Sequence, residues 1–324
     1  SDEPPRFFLP RATMAAAWPL LSLTANYYAT MTTERRESMS SARERFRGLL
    51  VRPTCTIAAN IFDPLSARIA HLLDYEVCFL SGSVGKAANL GVPDMVLSNM
   101  SDLVDHCRRI TRIADVSLMV DGEDGFGNAV NVVRTVRELE AAGVAAIEIE
   151  DNIAPVQFNG ADRGLVSQAE QVGKLEAAVA ARTDPTTVIV ARTAALTYCA
   201  LDEALDRMQA YAQTGAEVLR LVGLRTRTQL EAVHQATALP LTVLSPPADL
   251  RNDVAFLAAH GIKILMLGNP AFSVAVKAIY ECLKHLKDGG AIEDLADKQA
   301  SAALLRSVDR TEEFVRWQQA FLRS

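Results

Sequence analysis

The chain has 324 residues, 49% apolar and 22% charged, with a formal net charge of −6. That is enough for a large core in one or two domains, and it excludes a broad basic surface for nucleic acid. No apolar stretch reaches the roughly 18–20 residues of a membrane span, since the best candidate, 15–23, is short and broken by Pro19.

Residues 1–40 mix Pro, Arg, Ser and Thr without periodicity and read as an N-terminal extension that packs on the main domain or on a neighbouring subunit. Asp2, Glu3, Glu34 and Glu37 argue against a transit peptide, which is acid-poor. Ser41 and Glu44 then fit a capping box opening a short helix, "SARERFRGLL". From there short apolar runs alternate with helical-period segments. The runs at 55–59, 77–80, 117–120, 145–149, 188–191, 217–221, 241–244 and 263–267 read as strands. Helices are predicted after them near 64 onward, 101–113, 128–142, 167–181, 201–214, 226–236, 249–260 and 272–286. Asp63 is a good N-cap with Pro64 at the first position, and Gly143, Gly215 and Gly261 close three of the helices. Eight strand-then-helix units in this length predict an α/β fold, a (β/α)8 TIM barrel over 41–290 with a helical tail at 291–324.

A barrel puts its chemistry where strands end and helices begin. Strand one ends in Asn60 and Asp63, strand two in Ser81-Gly82-Ser83, strand three in Asp121, Glu123 and Asp124. Strand four ends in Glu150 and Asp151, strand five in Arg192 and Thr193, strand seven in Ser245 and strand eight in Asn269; strand six offers only Arg225. Crowded carboxylates repel each other and are expensive to bury unpaired. A hard divalent ion, Mg²⁺ or Mn²⁺, relieves both costs, and Asp121, Glu123 and Glu150 are its candidate ligands with Asp63 in support. Asp63 reads equally well as a helix cap, and Asp124 as a solvated loop charge. Gly122, Gly125 and Gly127 permit a tight turn beneath the ion. Backbone N–H groups of the Ser81–Ser83 turn suit a carboxylate or oxyanion, the plain alternative being an ordinary loop. Arg192 suits bidentate grip of a substrate carboxylate, or an ion pair with Glu150 or Asp151. Lys86 reads as solvated. The five histidines fall in predicted helices, away from the strand ends. The cysteines, Cys55, Cys78, Cys107, Cys199 and Cys282, lack metal-knuckle or CxxC spacing, which suits reduced thiols in a cytoplasmic protein.

The segments "FDPLSARIA", "LSGSVG", "DGEDGFGNAVNVVRTVRELEAAGVAAIEIED" and "VART" together resemble the isocitrate lyase / phosphoenolpyruvate mutase superfamily, over about residues 54–286. The resemblance implies a (β/α)8 barrel that binds Mg²⁺ and a small 2-oxo acid or its enolate. It also implies a homo-oligomer, dimer or tetramer, with the last barrel helix exchanged between subunits. Carried over by position, the family's metal loop falls on Asp121 to Gly127, with Glu123 in the usual place of an Asp. Asp63 and Glu150 match its supporting acids, Gly82 and Ser83 the turn that holds carboxylate or keto oxygen, and Arg192 its carboxylate-binding arginine. The lyase branch's K-[KR]-C-G-H loop is absent, since 152–166 reads "NIAPVQFNGADRGLV". The stretch "EDNIAPVQF" is most similar to the oxaloacetate decarboxylase branch. That branch places a His after strand eight and often a Tyr after strand seven, where this chain has Asn269 and Ser245; Ala194 replaces an Asp or Asn. The resemblance thus implies an Mg²⁺-dependent decarboxylase in which Glu123, Ser83 and Arg192 act and Ser81, Gly82, Ser245 and Asn269 help bind substrate. A phosphonopyruvate or C–C hydrolase, and a barrel that binds keto acids without turnover, remain the alternatives.

Overall fold

A computed structural model describes residues 41–155 and 164–322. The expectations for residues 1–40 lie outside the described residues, as does 156–163 of the loop after strand four.

Helix α1 (Ala42–Val51) leads into β1 (Thr56–Ile61), α2 (Pro64–Leu72), β2 (Val77–Leu80), α3 (Gly82–Leu90) and α4 (Met100–Thr111). The chain continues through β3 (Ser117–Asp121), α5 (Ala129–Ala141), β4 (Ala146–Glu150), α6 (Gln168–Ala181) and β5 (Val188–Thr193). Then come α7 (Ala195–Tyr198), α8 (Leu201–Ala212), β6 (Val218–Leu221), α9 (Arg227–Ala236) and β7 (Leu241–Leu244). Short helices α10 (Ala248–Arg251) and α11 (Val254–Ala259) precede β8 (Ile262–Met266) and α12 (Pro270–Lys287). The eight strands pair in parallel and in sequence order, and β1 also pairs with β8, so the sheet closes into the expected barrel.

The period-2 alternation of each strand divides its side chains between two cores. Cys78, Leu80, Leu118, Val120, Ile147, Ile149, Ile189 and Leu219 face outward and pack under the helices. Ala58, Phe79, Met119, Ala146, Val190, Val218 and Ile264 form the inner core, which Phe46, Leu49 and Leu50 of α1 close at one end. Each fully buried Leu, Ile, Val, Phe or Met among them contributes roughly 1.5–3 kcal/mol. Two residues further along the inner face the apolar layer stops, and Asp121, Glu148, Arg192 and Arg220 take over. The barrel floor is therefore grease and its mouth is charge.

Helix starts follow local chemistry. Asp63 with Ser66, Asn99 with Asp102, Asn128 with Asn131 and Thr226 with Gln229 form reciprocal capping boxes. Three expectations change. The segment after β2 is not a loop but helix α3, with Ser81 at its N-cap and Gly91 in the left-handed region at its end. The single helix expected over 249–260 splits at Asn252 and Asp253, because the Asp253 side chain accepts from Phe256 N and starts a new helix. An extra turn, α7, follows β5.

Helix α12 buries no side chain and exposes Val274, Val276, Ile279, Tyr280, Leu283 and Leu286. Beyond it lie α13 (Ala302–Val308) and α14 (Thr311–Phe321). Arg68 of α2 donates to the carbonyls of Ser307 and Val308, which seats the tail on the barrel. No described helix is long and apolar enough to cross a membrane.

Candidate active site

The acids meet because β3 and β4 keep pairing beyond their ends. Gly122 N donates to Glu148 O at 3.0 Å, and Glu150 N to Glu123 O at 2.9 Å. A Cβ at 122 would collide with the Glu148 carbonyl, so this close approach requires glycine. Glu123 is held in the left-handed region, φ +53°, a strained state for a non-glycine residue that is common at functional sites. Its N–H donates to Asp121 Oδ1 at 3.1 Å, tying the two acids together.

These carboxylates are laced by cations. Arg192 Nη1 lies 2.5 Å from Asp121 Oδ2 and Nη2 2.9 Å from Glu150 Oε2. Lys86 Nζ lies 2.6 Å from Glu123 Oε1 and 2.8 Å from Asp94 Oδ1. Lys86 is 5% exposed, so the expectation of a solvated lysine is corrected: α3 turns it inward onto Glu123. Asp124 is also buried rather than solvated, at 8% exposed; its Oδ1 accepts from Phe126 N, and Lys174 lies 3.7 Å away. Of the two ion pairs weighed for Arg192, the one with Glu150 forms. Asp151 instead accepts from Thr193 Oγ1 (2.6 Å), Ala194 N and Tyr211 Oη, bracing the end of β5.

Titration follows from this crowding. Burial raises the Glu123 carboxyl and Asp121 adds to it, with Lys86 opposing, and the result is pushed up to about 7. Burial likewise raises Glu150, against Arg192 and with Asp121, Glu123 and Glu148, to about 8. Burial would also raise Asp121, but Arg192 and Arg220 outweigh it and hold that carboxyl below its usual range. Asp121, Glu123, Glu148 and Glu150 thus face Arg192, Arg220 and Lys86, and Lys86 is shared with Asp94. Negative charge is in excess.

The Ser81–Ser83 segment faces the same acids from the N-terminus of α3. Gly82 N lies 3.4 Å from Asp121 Oδ2, and Ser81 Oγ lies 3.1 Å from Ser83 Oγ. A Cβ at 82 would collide with the Glu123 carboxylate. Asp63 also caps its helix: its Oδ1 accepts from Ser66 N at 2.7 Å. Across the mouth, Ser245 after β7, Asn269 after β8 and Asn60 on β1 are neutral and polar. Ser245 sits at φ +46° after β7 with its Oγ beside Gly268, and Asn60 Nδ2 lies 3.3 Å from Asn269 Oδ1. Asn60 Oδ1 and Arg192 Nε are buried with no partner among the described residues.

Two charged residues escaped the sequence reading. Glu148 and Arg220 lie inside runs taken as plain strand, but in "AIEIE" and "VLRL" each stands two residues beyond an inward apolar side chain. Period-2 counting from Ala146 and Val218 would have placed both in the barrel interior.

The donor set can be tested against a divalent ion. Among the described residues no three His, Cys, Asp or Glu already converge on one point. The set therefore does not suit an ion caged by protein alone. It does suit a hard ion that keeps most of its water and takes one or two carboxylates, since excess acid charge leaves two carboxyls half inclined to hold protons.

Comparison with known proteins agrees with this chemistry. An oxaloacetate decarboxylase of Rhodopseudomonas palustris is 41% identical over 268 residues, 83% of this chain and 92% of the relative. Another of that description, from Pseudomonas fluorescens, is 38% identical over 89% of this chain and 98% of its own length. Among solved structures, a phosphonopyruvate hydrolase complexed with oxalate and Mg²⁺ superposes with a TM-score of 0.78 at 29% identity, covering 88% of this chain and 100% of that one. An oxaloacetate acetylhydrolase with its product oxalate gives 0.77 at 27%, covering 86% and 98%. The phosphoenolpyruvate phosphomutase family profile matches residues 46–287, from α1 to the end of α12, so the stretch that builds the barrel and its charged mouth is the stretch that places this chain in that family, within the isocitrate lyase/PEP mutase superfamily.

Proposed function

We propose that the protein is a divalent-metal-dependent carbon–carbon lyase that decarboxylates oxaloacetate or a closely related 2-oxo diacid. The observation that carries this reading is the split mouth. One half holds an arginine among excess carboxylates, and the other is neutral and polar. The relatives described as oxaloacetate decarboxylases support the choice of substrate.

Glu123 and Asp121 would hold Mg²⁺ or Mn²⁺, with Glu150 and Asp63 in support through water. Bound there, the ion would draw charge from the substrate's keto oxygen. The chain's own groups do the rest. Arg192, whose Nε–H has no partner among the described residues, anchors the carboxylate next to the keto group. The C3–C4 bond breaks and its electron pair moves into the C2–C3 bond, leaving charge on the keto oxygen. The N-terminus of α3, with Ser81, Gly82 and Ser83, faces that charge as it develops. The distal carboxylate lies toward Ser245, Asn269 and Asn60, neutral groups that do not resist its departure as CO2. C3 then takes a proton from solvent water, giving the mono-acid. No step calls for a protein nucleophile, in keeping with the missing cysteine loop.

A panel of 2-oxo acids, assayed with and without EDTA, tests the reading. Oxaloacetate should yield pyruvate and CO2, with activity lost on chelation and restored by Mg²⁺ or Mn²⁺. Indifference to EDTA sinks the scheme. Release of oxalate and acetate, or turnover of phosphonopyruvate, would favour the hydrolase reading suggested by the two solved relatives named above.

The bare apolar face of α12 also supports a homo-oligomer in which this helix packs on another copy. Ile279→Asp should lower the mass measured by light scattering, and an unchanged oligomer would refute that use of the face.

A further inference from the structure

We propose that Arg220, acting through Glu148, is a positioning residue that keeps Arg192 turned toward substrate; this rests on the reading of Arg192 as the carboxylate anchor. Glu148 on β4 and Arg220 on β6 flank β5, which carries Arg192 between them. Both are fully buried, at 0% exposed. One Arg220 nitrogen, Nη1, bonds both Glu148 oxygens, and the guanidinium lies 4.3 Å from the centroid of the Phe79 ring, on top of the apolar floor.

Glu148 is also a competitor. Its Oε2 lies 3.9 Å from Arg192 Nη1, against 2.5 Å for Asp121 Oδ2. A buried carboxylate stripped of its partner is strongly driven to find another cation. Arg192 is the nearest one. With Arg220 in place both Glu148 oxygens are satisfied, and Arg192 remains with Asp121 and Glu150 at the mouth. Without Arg220, Glu148 draws the Arg192 guanidinium down into the barrel and away from the substrate carboxylate. The two halves of this single ion pair therefore have opposite effects on the anchor.

Calorimetric titration with oxalate in the presence of Mg²⁺ separates this from a merely structural role. Both Arg220→Met and Glu148→Gln break the same pair, and both should lower the melting temperature. Arg220→Met should weaken oxalate binding by about tenfold or more, as expected when one charge-assisted grip is lost. Glu148→Gln should bind oxalate as tightly as the wild type or more so, because the competitor has gone. Weakening of both to a similar degree would overturn the proposal. Should Arg220→Met not fold, Glu148→Gln carries the test alone, and weaker oxalate binding in it is the overturning result. If the wild type binds no oxalate, the functional reading itself fails. Arg192 can then be followed without ligand by its phenylglyoxal modification rate, mapped to the peptide. That rate should be lower in Arg220→Met than in the wild type and not lower in Glu148→Gln; an undiminished rate in Arg220→Met, or a lower one in Glu148→Gln, overturns the proposal.

Discussion

The mouth of the barrel has two unlike halves. On the side of β3, β4, β5 and α3, four carboxylates and three cations interlock, nearly all of them out of solvent. On the side of β7, β8 and β1, the corresponding positions hold a hydroxyl and two amides. The first half can bind charge that must stay; the second is suited to charge that must leave. Decarboxylation needs both, because one carboxylate of the substrate is retained while the other becomes neutral CO2. A cation at the second position would hold the departing group in its ground state and add to the barrier.

Damage to the charged half should be the more severe. Glu123→Ala is expected to lower kcat/KM by roughly 10²–10³-fold, in the range of losing one preorganised electrostatic group. Its effect on the melting temperature should be the smaller one, since Lys86 keeps Asp94 as a second carboxylate partner. Wild-type turnover in that variant would refute the metal assignment. Arg192→Lys keeps the charge but loses the fork, and about a hundredfold loss, mostly in KM, is expected from steady-state kinetics. A loss confined to kcat would mean that Arg192 does not anchor the substrate.

The neutral half invites the opposite substitution. Asn269→Arg should tighten substrate binding and yet slow turnover by about tenfold, so KM and kcat fall together. A rise in kcat would break the contrast between the halves.

The smallest effect concerns pH and stability without metal. Glu123 and Glu150 are raised from 4.5 to about 7 and about 8 in the folded chain. Between those limits the folded state holds more protons than the unfolded one, so the contribution of these carboxyls is full below 4.5 and is lost as pH rises through the folded values. The melting temperature of the metal-free protein should therefore decline from about pH 5 to 8, and Mg²⁺ should flatten that decline. Stability that increases over this window would show that the two carboxyls are not held protonated.

How much of this was legible beforehand varies from residue to residue. Strand and helix order, the capping role of Asp63, and helix starts at Asn128, Ser167 and Thr226 could be read because they depend on neighbours within four positions. The residues at the strand ends were legible as a set, since a barrel gathers those ends on one face. Their partners were not. Lys86 looked like any lysine after a glycine, and it became a buried clamp only because a single residue, Ser81, separates β2 from α3, which turns it onto Glu123. Glu148 and Arg220 look like ordinary strand residues until closure of the sheet sets them on the two strands that flank Arg192.

By itself the sequence determined the eightfold alternation, the inward and outward faces, and the concentration of acid where strands stop. All three are set by periodicity and by the local geometry of turns and caps. Only the tertiary structure decided that those acids are cross-linked by Arg192 and Lys86, that Arg220 neutralises Glu148 beneath them, and that Asn60 and Asn269 meet on the other side of the mouth. Those outcomes depend on which side chains a closed barrel brings within a few ångströms across dozens of residues of chain, and Coulomb forces between buried groups are decided at that distance.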